Sequence, residues 1–255
     1  MIRRELEYFF GAIRFFTRLP VPAWVGHSAE ALNHSARYFP AVGLLVGGIG
    51  ALVYWLALHL WPQPVAVLLS MAATIYATGA FHEDGLSDTA DGLGGGWDKA
   101  RILLIMKDSR VGSYGVVAIV LALLGKFVLL ASLSASLVPF ALLAGHAVSR
   151  FCATLVMAML EYARDDESSK ARPATGRPSV LSLALAACFT LPPLAVLPLA
   201  QVLLGIALAA LAMSWLAGKF RRWLGGYTGD CLGAVQQVTE LAFYLGLVVH
   251  WSAGG

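Results

Sequence analysis

Four of the fifteen acidic residues of the chain lie within one short segment, residues 81–92. If this segment is helical, the turn of about 100° per residue places Asp84, Asp88 and Asp91 on one narrow face, with Glu83 pointing away. Three carboxylates at this spacing repel one another, so a cation is expected to offset their charge. Because oxygen ligands favour hard ions, the aspartates predict a Mg²⁺ site. The alternatives are a solvated acidic loop and acids paired to nearby arginine.

A basic segment follows the acidic one, beyond a break expected at Gly94–Gly96. Asp98 is expected to cap a short helix that leads into this segment. Lys107 and Arg110 are suited to binding phosphate, arginine through two parallel hydrogen bonds. Asp108, between them, is a further candidate as metal ligand or base. The alternative is ordinary positive charge beside a membrane, which the neighbouring acidic face makes less favourable than phosphate binding.

A second polar cluster lies late in the chain, in the glycine-rich residues 225–230. Glycine allows a ligand or a neighbouring helix to approach the backbone closely. Asp230, Gln237 and Glu240 then form a polar stripe that enters an apolar segment. An ionisable group inside such a segment indicates a functional site by default. Arg150 is the expected partner of Glu240, and a structural role for that pair is as well supported as a functional one.

These polar residues belong to a chain that is too apolar for a soluble enzyme. Of its 255 residues 58% are hydrophobic and 13% are charged, whereas a soluble domain carries about 25% charged residues. The mean hydropathy is +0.73. The net charge of +3 gives no indication of nucleic-acid binding. The composition therefore excludes a soluble or disordered protein and predicts one that lies in a lipid bilayer.

A spanning helix needs roughly 20 mostly apolar residues, and seven segments qualify, within a range of six to eight. They cover residues 40–60, 65–81, 114–133, 139–160, 180–194, 198–217 and 238–251. Near the start, Phe9, Phe10, Ile13 and Phe16 share one face of a helix that is expected to lie in the membrane interface. The predicted fold class is all-α: a polytopic membrane helical bundle with an N-terminal interfacial amphipathic helix, forming one domain over residues 1–255.

Basic residues are concentrated in alternate connectors between the apolar segments. Positively charged loops remain on the cytoplasmic side, so the N-terminus is expected inside and the polar clusters are expected to face the cytoplasm. Within the first span, Gly43, Gly47 and Gly50 indicate close helix packing. A divalent metal, phosphate-binding cations and a cytoplasmic opening together favour phosphoryl or nucleotidyl-alcohol transfer. An ion-coupled transporter is the alternative, since broken helices and buried charges also suit an ion pathway.

The acidic segment is only partly similar to the signature of the CDP-alcohol phosphotransferases. Asp88, Asp91 and Gly92 fit the start of that signature, but Gly95 and Gly96 stand where it has alanine and arginine. Another Mg²⁺-dependent transferase of that type is therefore an alternative and not a direct match.

The chain resembles the cobalamin (5′-phosphate) synthases, also called adenosylcobinamide-GDP ribazoletransferases, from about residue 16 to residue 240. The most specific similarity is in the segment from Phe81 to Gly115. The matching motifs are Phe16-Thr17-Arg18-Leu19-Pro20, Phe81-His82-x-Asp84-Gly85-Leu86-x-Asp88-Thr89-x-Asp91-Gly92, Met106-Lys107-Asp108-Ser109-Arg110-x-Gly112 and Gly225-Gly226-x-Thr228-Gly229-Asp230-x-Leu232-Gly233-Ala234.

The resemblance implies a multi-pass enzyme of the bacterial cytoplasmic (inner) membrane. Such enzymes join adenosylcobinamide-GDP to α-ribazole or its 5′-phosphate with Mg²⁺ and release GMP, the last assembly step of the cobalamin nucleotide loop. By resemblance, Asp84, Asp88 and Asp91 bind Mg²⁺ and, with Asp108, are catalytic. One carboxylate accepts the proton of the attacking ribose hydroxyl. The implied substrate-binding residues are His82, Lys107, Arg110, Thr228 and Asp230. The sequence leaves open whether the chain forms a homo-oligomer.

Overall fold

The computed structural model of the chain describes residues 2–26, 33–164 and 176–249. Within these ranges the chain is helical, with no strand beyond an isolated bridge between Tyr162 and Tyr227. A 3₁₀ turn precedes the second helix. The helices are α1 (Ile2–Phe16), α2 (Phe39–Leu58), α3 (Gln63–Thr78), α4 (Phe81–Gly95), α5 (Lys99–Ile105), α6 (Ser113–Ala131), α7 (Val138–Met159), α8 (Val180–Leu194), α9 (Leu199–Leu224) and α10 (Gly229–Leu247). The all-α fold class is confirmed for this part of the chain.

Four helices of the described ranges are long and apolar enough to cross a membrane: Asn33–Leu58, which contains α2, and α6, α7 and α9. The bent pair of α3 and α4 makes a fifth if it is one broken span. These helices are those of a membrane protein, whereas the count of seven spans stays a prediction. The predicted segment 180–194 coincides with α8, which has 15 residues. The helix of the last predicted span, α10, begins earlier than predicted, at Gly229, so it includes polar residues.

The second predicted span and the acidic segment form two separate helices. Helix α3 ends at Thr78, and α4 starts at Phe81 after a bend of 85°. Gly79 and Ala80 between them both have positive φ angles, 66° and 58°. Glycine adopts this conformation without strain, and alanine does so only where the surroundings impose it. The bend separates α4 as a short polar helix that carries the aspartates.

A break is expected at Gly94–Gly96, but α4 continues through Gly95. The last hydrogen bond of the helix is donated by the amide of Gly96 to the carbonyl of Gly92, so the break begins after the predicted first glycine. The expected cap by Asp98 is confirmed. Its side chain accepts a hydrogen bond from the amide of Arg101, 2.9 Å, at the start of α5. At the N-terminus, α1 is helical and buries Ile13 and Phe16, and its position in a membrane interface stays a prediction.

Connections at one end of the bundle determine where the polar segments lie. Gln63, at the start of α3, donates to the carbonyl of Leu133, 2.8 Å, and Tyr54, near the end of α2, donates to Ala135, 3.3 Å. The end of α6 and the start of α7 are therefore at this end. Consequently the start of α6 and the end of α7 lie at the opposite end, where the acidic helix α4 contacts the bundle.

The predicted close packing of the first span is confirmed in the contact between α2 and α7. A Cβ atom added to Gly47 would lie 2.8 Å from the carbonyl oxygen of Leu142 and 2.9 Å from the Cα of Leu143, so backbone faces backbone. Gly43 makes the same close contact with the backbone of His146 and Ala147. Small residues at such contacts let membrane helices approach closely.

We predict that Gly47→Ala lowers the free energy of unfolding by about 1–3 kcal/mol, because the added methyl group overlaps backbone atoms that cannot move aside. The measurement is denaturant unfolding of the protein in detergent. Gly48→Ala is the matched control, since its Cβ would lie 3.9 Å from a flexible leucine methyl group. Equal losses for the two variants would contradict the close contact.

Candidate active site

The three predicted aspartates lie on α4, and their exposure decreases along the helix. Asp84 is exposed, Asp88 is half-buried and Asp91 is buried. Since α4 is helical from Phe81 to Gly95, the spacing places all three on the face that the sequence predicts. The first two are thus accessible to a ligand, and the third contacts the protein interior.

Helix α4 packs directly on the start of α10, and this contact adds Asp230 to the acidic group. A Cβ atom on Gly85 would lie 2.9 Å from the carbonyl oxygen of Asp230 and 3.2 Å from the Cα of Gly233. The two backbones therefore touch at these glycines. The sequence analysis identified Asp230 as a separate candidate, and the structure brings it beside the aspartates of α4.

Arg164, which follows α7, is a cation of the site that the sequence motifs did not single out. Its Nη2 donates to Oδ2 of Asp230, 2.8 Å. Two backbone hydrogen bonds hold this arginine in place: Tyr227 donates to the carbonyl of Glu161, 2.9 Å, and Ala163 donates to that of Tyr227, 2.8 Å. The end of α7 is thereby fixed to the segment before α10.

The carboxylates influence one another electrostatically. Partial burial and the negative charges of Asp84, Asp230 and Asp91 raise the pKa of Asp88 to about 7, although Arg164 acts in the opposite direction. Burial also raises the pKa of Asp230, which Arg164 again opposes. One arginine thus leaves the acidic group with excess negative charge. A bound cation would stabilise the ionised forms of these side chains.

Asp91 has two backbone partners of its own. Its Oδ2 accepts from the amide of Gly112, 2.7 Å, and its Oδ1 accepts from the amide of Gly115, 2.9 Å, at the start of α6. A side chain at either glycine would collide with the Asp91 carboxylate, and at Gly115 also with Ser87. Asp91 therefore joins α4 to the first turn of α6, where a carboxylate is also favoured by the helix dipole.

The basic segment between α5 and α6 lies next to Asp91. Lys107 and Arg110 are exposed. Arg110 holds Asp108 through Nε and Nη2, the latter at 2.7 Å, and these hydrogen bonds lower the pKa of Asp108 to about 2. A cleft of about 430 Å³ is lined by Asp91, Asp108 and Arg110 among others. The acidic and basic segments singled out from the sequence therefore meet in one place.

Two of the implied substrate-binding residues are in other positions. His82 is buried and stacks on Phe16, with ring centroids 5.4 Å apart. It is about 200° around α4 from Asp84, hence near the opposite face. Thr228 is buried and caps α10, its hydroxyl accepting from the amide of Cys231, 3.3 Å. Neither side chain lines the cleft between α4 and the basic segment, but the Thr228 hydroxyl also donates to Oδ2 of Asp230, 3.5 Å.

The three aspartates of the predicted metal site do not form a cluster of three ligands. Within the described ranges, no three side chains of His, Cys, Asp or Glu come close enough together to be ligands of one ion. Asp84, Asp88 and Asp91 therefore do not converge on one point. Since Mg²⁺ is commonly bound by one or two carboxylates together with substrate phosphates, the acidic group still has the donors such an ion requires.

The expected ion pair between Glu240 and Arg150 is replaced by a different one. Arg150 donates to the carbonyl of His146, 3.1 Å. The Glu240 carboxylate contacts Lys126 Nζ (2.6 Å), Gln236 Nε2 (2.6 Å), Tyr244 Oη (2.9 Å) and His146 Nδ1 (3.5 Å). Lys126 extends from α6 and is the ionisable residue inside an apolar span that the sequence analysis missed. Its charge alone was the available signal.

A hydrogen-bond chain joins this buried group to α4. Gln236 of α10 accepts from Gln237, 2.9 Å, and Gln237 also donates to Glu83, 3.0 Å. Glu83 is the residue before Asp84. The buried charges of α6 and α10 are thus connected to the helix that carries the aspartates.

Comparison with known proteins agrees with this combination of an acidic helix, a basic segment and a membrane bundle. The family model described as "Cobalamin-5-phosphate synthase" matches residues 8–248. The chain belongs to the cobalamin-5-phosphate synthase family. The matched range includes α4, the basic segment and α10, the elements that form the candidate site.

Curated relatives of this cobalamin-5-phosphate synthase family member are similar over nearly their whole length. An adenosylcobinamide-GDP ribazoletransferase of Leptothrix cholodnii is 49% identical, covering 98% of this chain and 96% of the relative. Proteins of the same name from Shewanella amazonensis and Shewanella woodyi are 48% and 46% identical. The matches cover 98% and 97% of this chain, and 98% of each relative. No solved structure matches the chain.

We predict that Asp91→Asn lowers the free energy of unfolding by about 1–3 kcal/mol, because an amide group can accept from only one of the two backbone donors at the start of α6. Denaturant unfolding in detergent measures the loss. Asp84→Asn is the matched control on the same face of α4, since Asp84 is exposed. If Asp84→Asn were as destabilising as Asp91→Asn, the bond to α6 would not be the reason.

A second stability prediction concerns the buried pair of Lys126 and Glu240. Glu240→Gln leaves the ammonium group without its counter-charge, and we expect a loss of about 3–5 kcal/mol. Adding Lys126→Met removes the unpaired charge and recovers part of that loss. Unfolding curves of both variants test this, and a double variant no more stable than Glu240→Gln would show that the pair is not coupled.

Proposed function

We propose that this chain joins adenosylcobinamide-GDP to α-ribazole or its 5′-phosphate and releases GMP. The observation that carries the proposal is the meeting of the acidic helix α4, through Asp91, with the basic segment at one end of an apolar bundle. The relatives that share up to 49% identity over nearly the whole chain are named for this transfer. Family and site thus support the same reaction class.

The donors of the site fit a hard divalent cation. Asp84 is exposed and Asp88 half-buried, so both carboxylates are accessible to an ion. We propose that these two aspartates hold Mg²⁺, with Asp230 beside them. Asp91 keeps a second lone pair on each oxygen and is the third candidate ligand. When bound, Mg²⁺ would neutralise charge on the diphosphate.

The reaction breaks a phosphoanhydride bond and forms a phosphoester bond. A ribose hydroxyl oxygen of the ribazole attacks the phosphorus that is bonded to cobinamide, and the bond from that phosphorus to the GMP phosphate breaks. A carboxylate of the acidic group accepts the hydroxyl proton. Lys107 and Arg110 stabilise the negative charge that develops on the transferred phosphoryl group and on departing GMP. Before the substrate binds, Arg110 is paired with Asp108.

The arrangement in the membrane follows from the charge distribution. We propose a bacterial inner-membrane protein with seven spans, in which the shorter helix α8, the bent pair α3–α4 and the last part of α10 complete the four long apolar helices. The basic connectors then face the cytoplasm together with the site, and α1 lies in the membrane interface. Substrates from the cytosol reach the site without crossing the bilayer.

The experiment is GMP release by the purified protein, supplied with adenosylcobinamide-GDP and α-ribazole 5′-phosphate, with and without Mg²⁺. We expect release only when both substrates and Mg²⁺ are present. Release without the ribazole would indicate hydrolysis and not transfer. No release by folded protein would contradict the proposal and favour the transport alternative, which flux into liposomes would then test.

We predict that Asp84→Asn and Asp88→Asn each lower the rate of GMP release at least about 100-fold while the protein remains folded in detergent, since each removes a charged ligand of the metal. Asp98→Asn serves as the control, because asparagine also caps a helix and Asp98 lies outside the acidic group. Full activity of either α4 variant would remove the proposed metal site.

A further inference from the structure

The cleft beside the acidic group has the size and the walls of a ligand site. Its volume of about 430 Å³ lies within the range of about 300–1,000 Å³ that small-molecule sites occupy. Asp91 at one side connects it to the aspartates of α4, and Ile105 and Val111 contribute apolar surface. Val111 is 62% exposed. The proposed mechanism uses only the charged side chains of this cleft.

An aromatic ring forms a second wall. Tyr114 lines the cleft and is 57% exposed. A Cβ atom on Gly94 would lie 2.5–2.8 Å from three ring carbons of Tyr114, so the ring rests directly on the backbone of Gly94. Because Gly94 has no side chain, the Tyr114 ring packs against its backbone, and the rest of the ring remains exposed. Such a ring is a platform on which a flat base stacks.

A carboxylate and a guanidinium stand at the edge of the same cleft. Asp108 is paired with Arg110, but the Arg110 side chain is 87% exposed. Exposed ion pairs of this kind contribute little to stability. Arg110 is therefore able to turn from Asp108 toward a diphosphate. Oδ1 of Asp108 also accepts from the Arg110 backbone amide, 3.0 Å, and the carboxylate keeps lone pairs for further hydrogen bonds. The partner it then requires is a pair of adjacent N–H donors.

We infer that this cleft binds the guanine base of the GDP-linked substrate, with the base stacked on Tyr114 and its N1–H and N2–H groups donating to Asp108. Guanine presents two adjacent donors on one edge, whereas adenine presents one donor beside an acceptor. Guanosine is also joined directly to the diphosphate, so it must lie beside the residues that hold the diphosphate. This inference rests on the proposed function and adds the basis of its base specificity.

The test is direct binding of GDP, IDP and ADP to the purified full chain in detergent with Mg²⁺, by equilibrium dialysis, which does not require turnover. IDP lacks the exocyclic N2 amino group. We expect wild type to bind GDP more tightly than IDP and ADP. In Asp108→Asn, the preference for GDP over IDP should fall at least fivefold, in line with the discrimination that one bidentate base contact provides.

Two further variants separate stacking from hydrogen bonding. Tyr114→Leu should weaken GDP and IDP equally, and Tyr114→Phe should leave both unchanged. Asp98→Asn, outside the cleft, is the control and should bind like wild type. Equal wild-type affinity for GDP and ADP, or an unchanged preference in Asp108→Asn, would overturn the guanine site. These outcomes are distinct from failure of the proposed function, which is read as absence of GMP release by wild type.

Discussion

The contact between α4 and α10 at Gly85 and Gly233 is the constraint on which the rest of the site depends. The backbones touch there, and any side chain at Gly85 would push the helices apart. Because of this contact, Asp230 reaches the aspartates of α4. Without it, Asp230 and its partner Arg164 would lie apart from the aspartates of α4.

The polar network around this contact holds α4 and α10 in position, because separating the helices would leave polar groups unpaired in the membrane interior. Unpaired charges in a bilayer are strongly disfavoured, and the buried Lys126 and Glu240 neutralise each other. The glutamines of α10 extend this pairing to Glu83 on α4. The acidic helix is thus held from the buried side by hydrogen bonds, while its ligand-binding face remains open to the basic segment.

The sequence predicts the local structure of the site better than the contacts between helices. Helical periodicity and residue type are local properties, so the aspartates of α4 and the cap by Asp98 follow from the sequence alone. The bend at Gly79, the pairing of Glu240 with Lys126, and the bonds from Asp91 to α6 depend on which helices become neighbours. Charge patterns do not determine these neighbours, since Arg150 and Lys126 are equally reasonable partners for Glu240 in the sequence.

The central claim is that α4 and α10 together build one acidic site. Electron paramagnetic resonance of Mn²⁺, added in place of Mg²⁺ to the folded protein with GDP, measures that site directly. We expect one bound ion per chain in wild type, with weaker binding in both Asp84→Asn and Asp230→Asn, although these residues lie on different helices. Wild-type Mn²⁺ affinity in Asp230→Asn would show that α4 binds the ion alone and would contradict a site shared between the two helices.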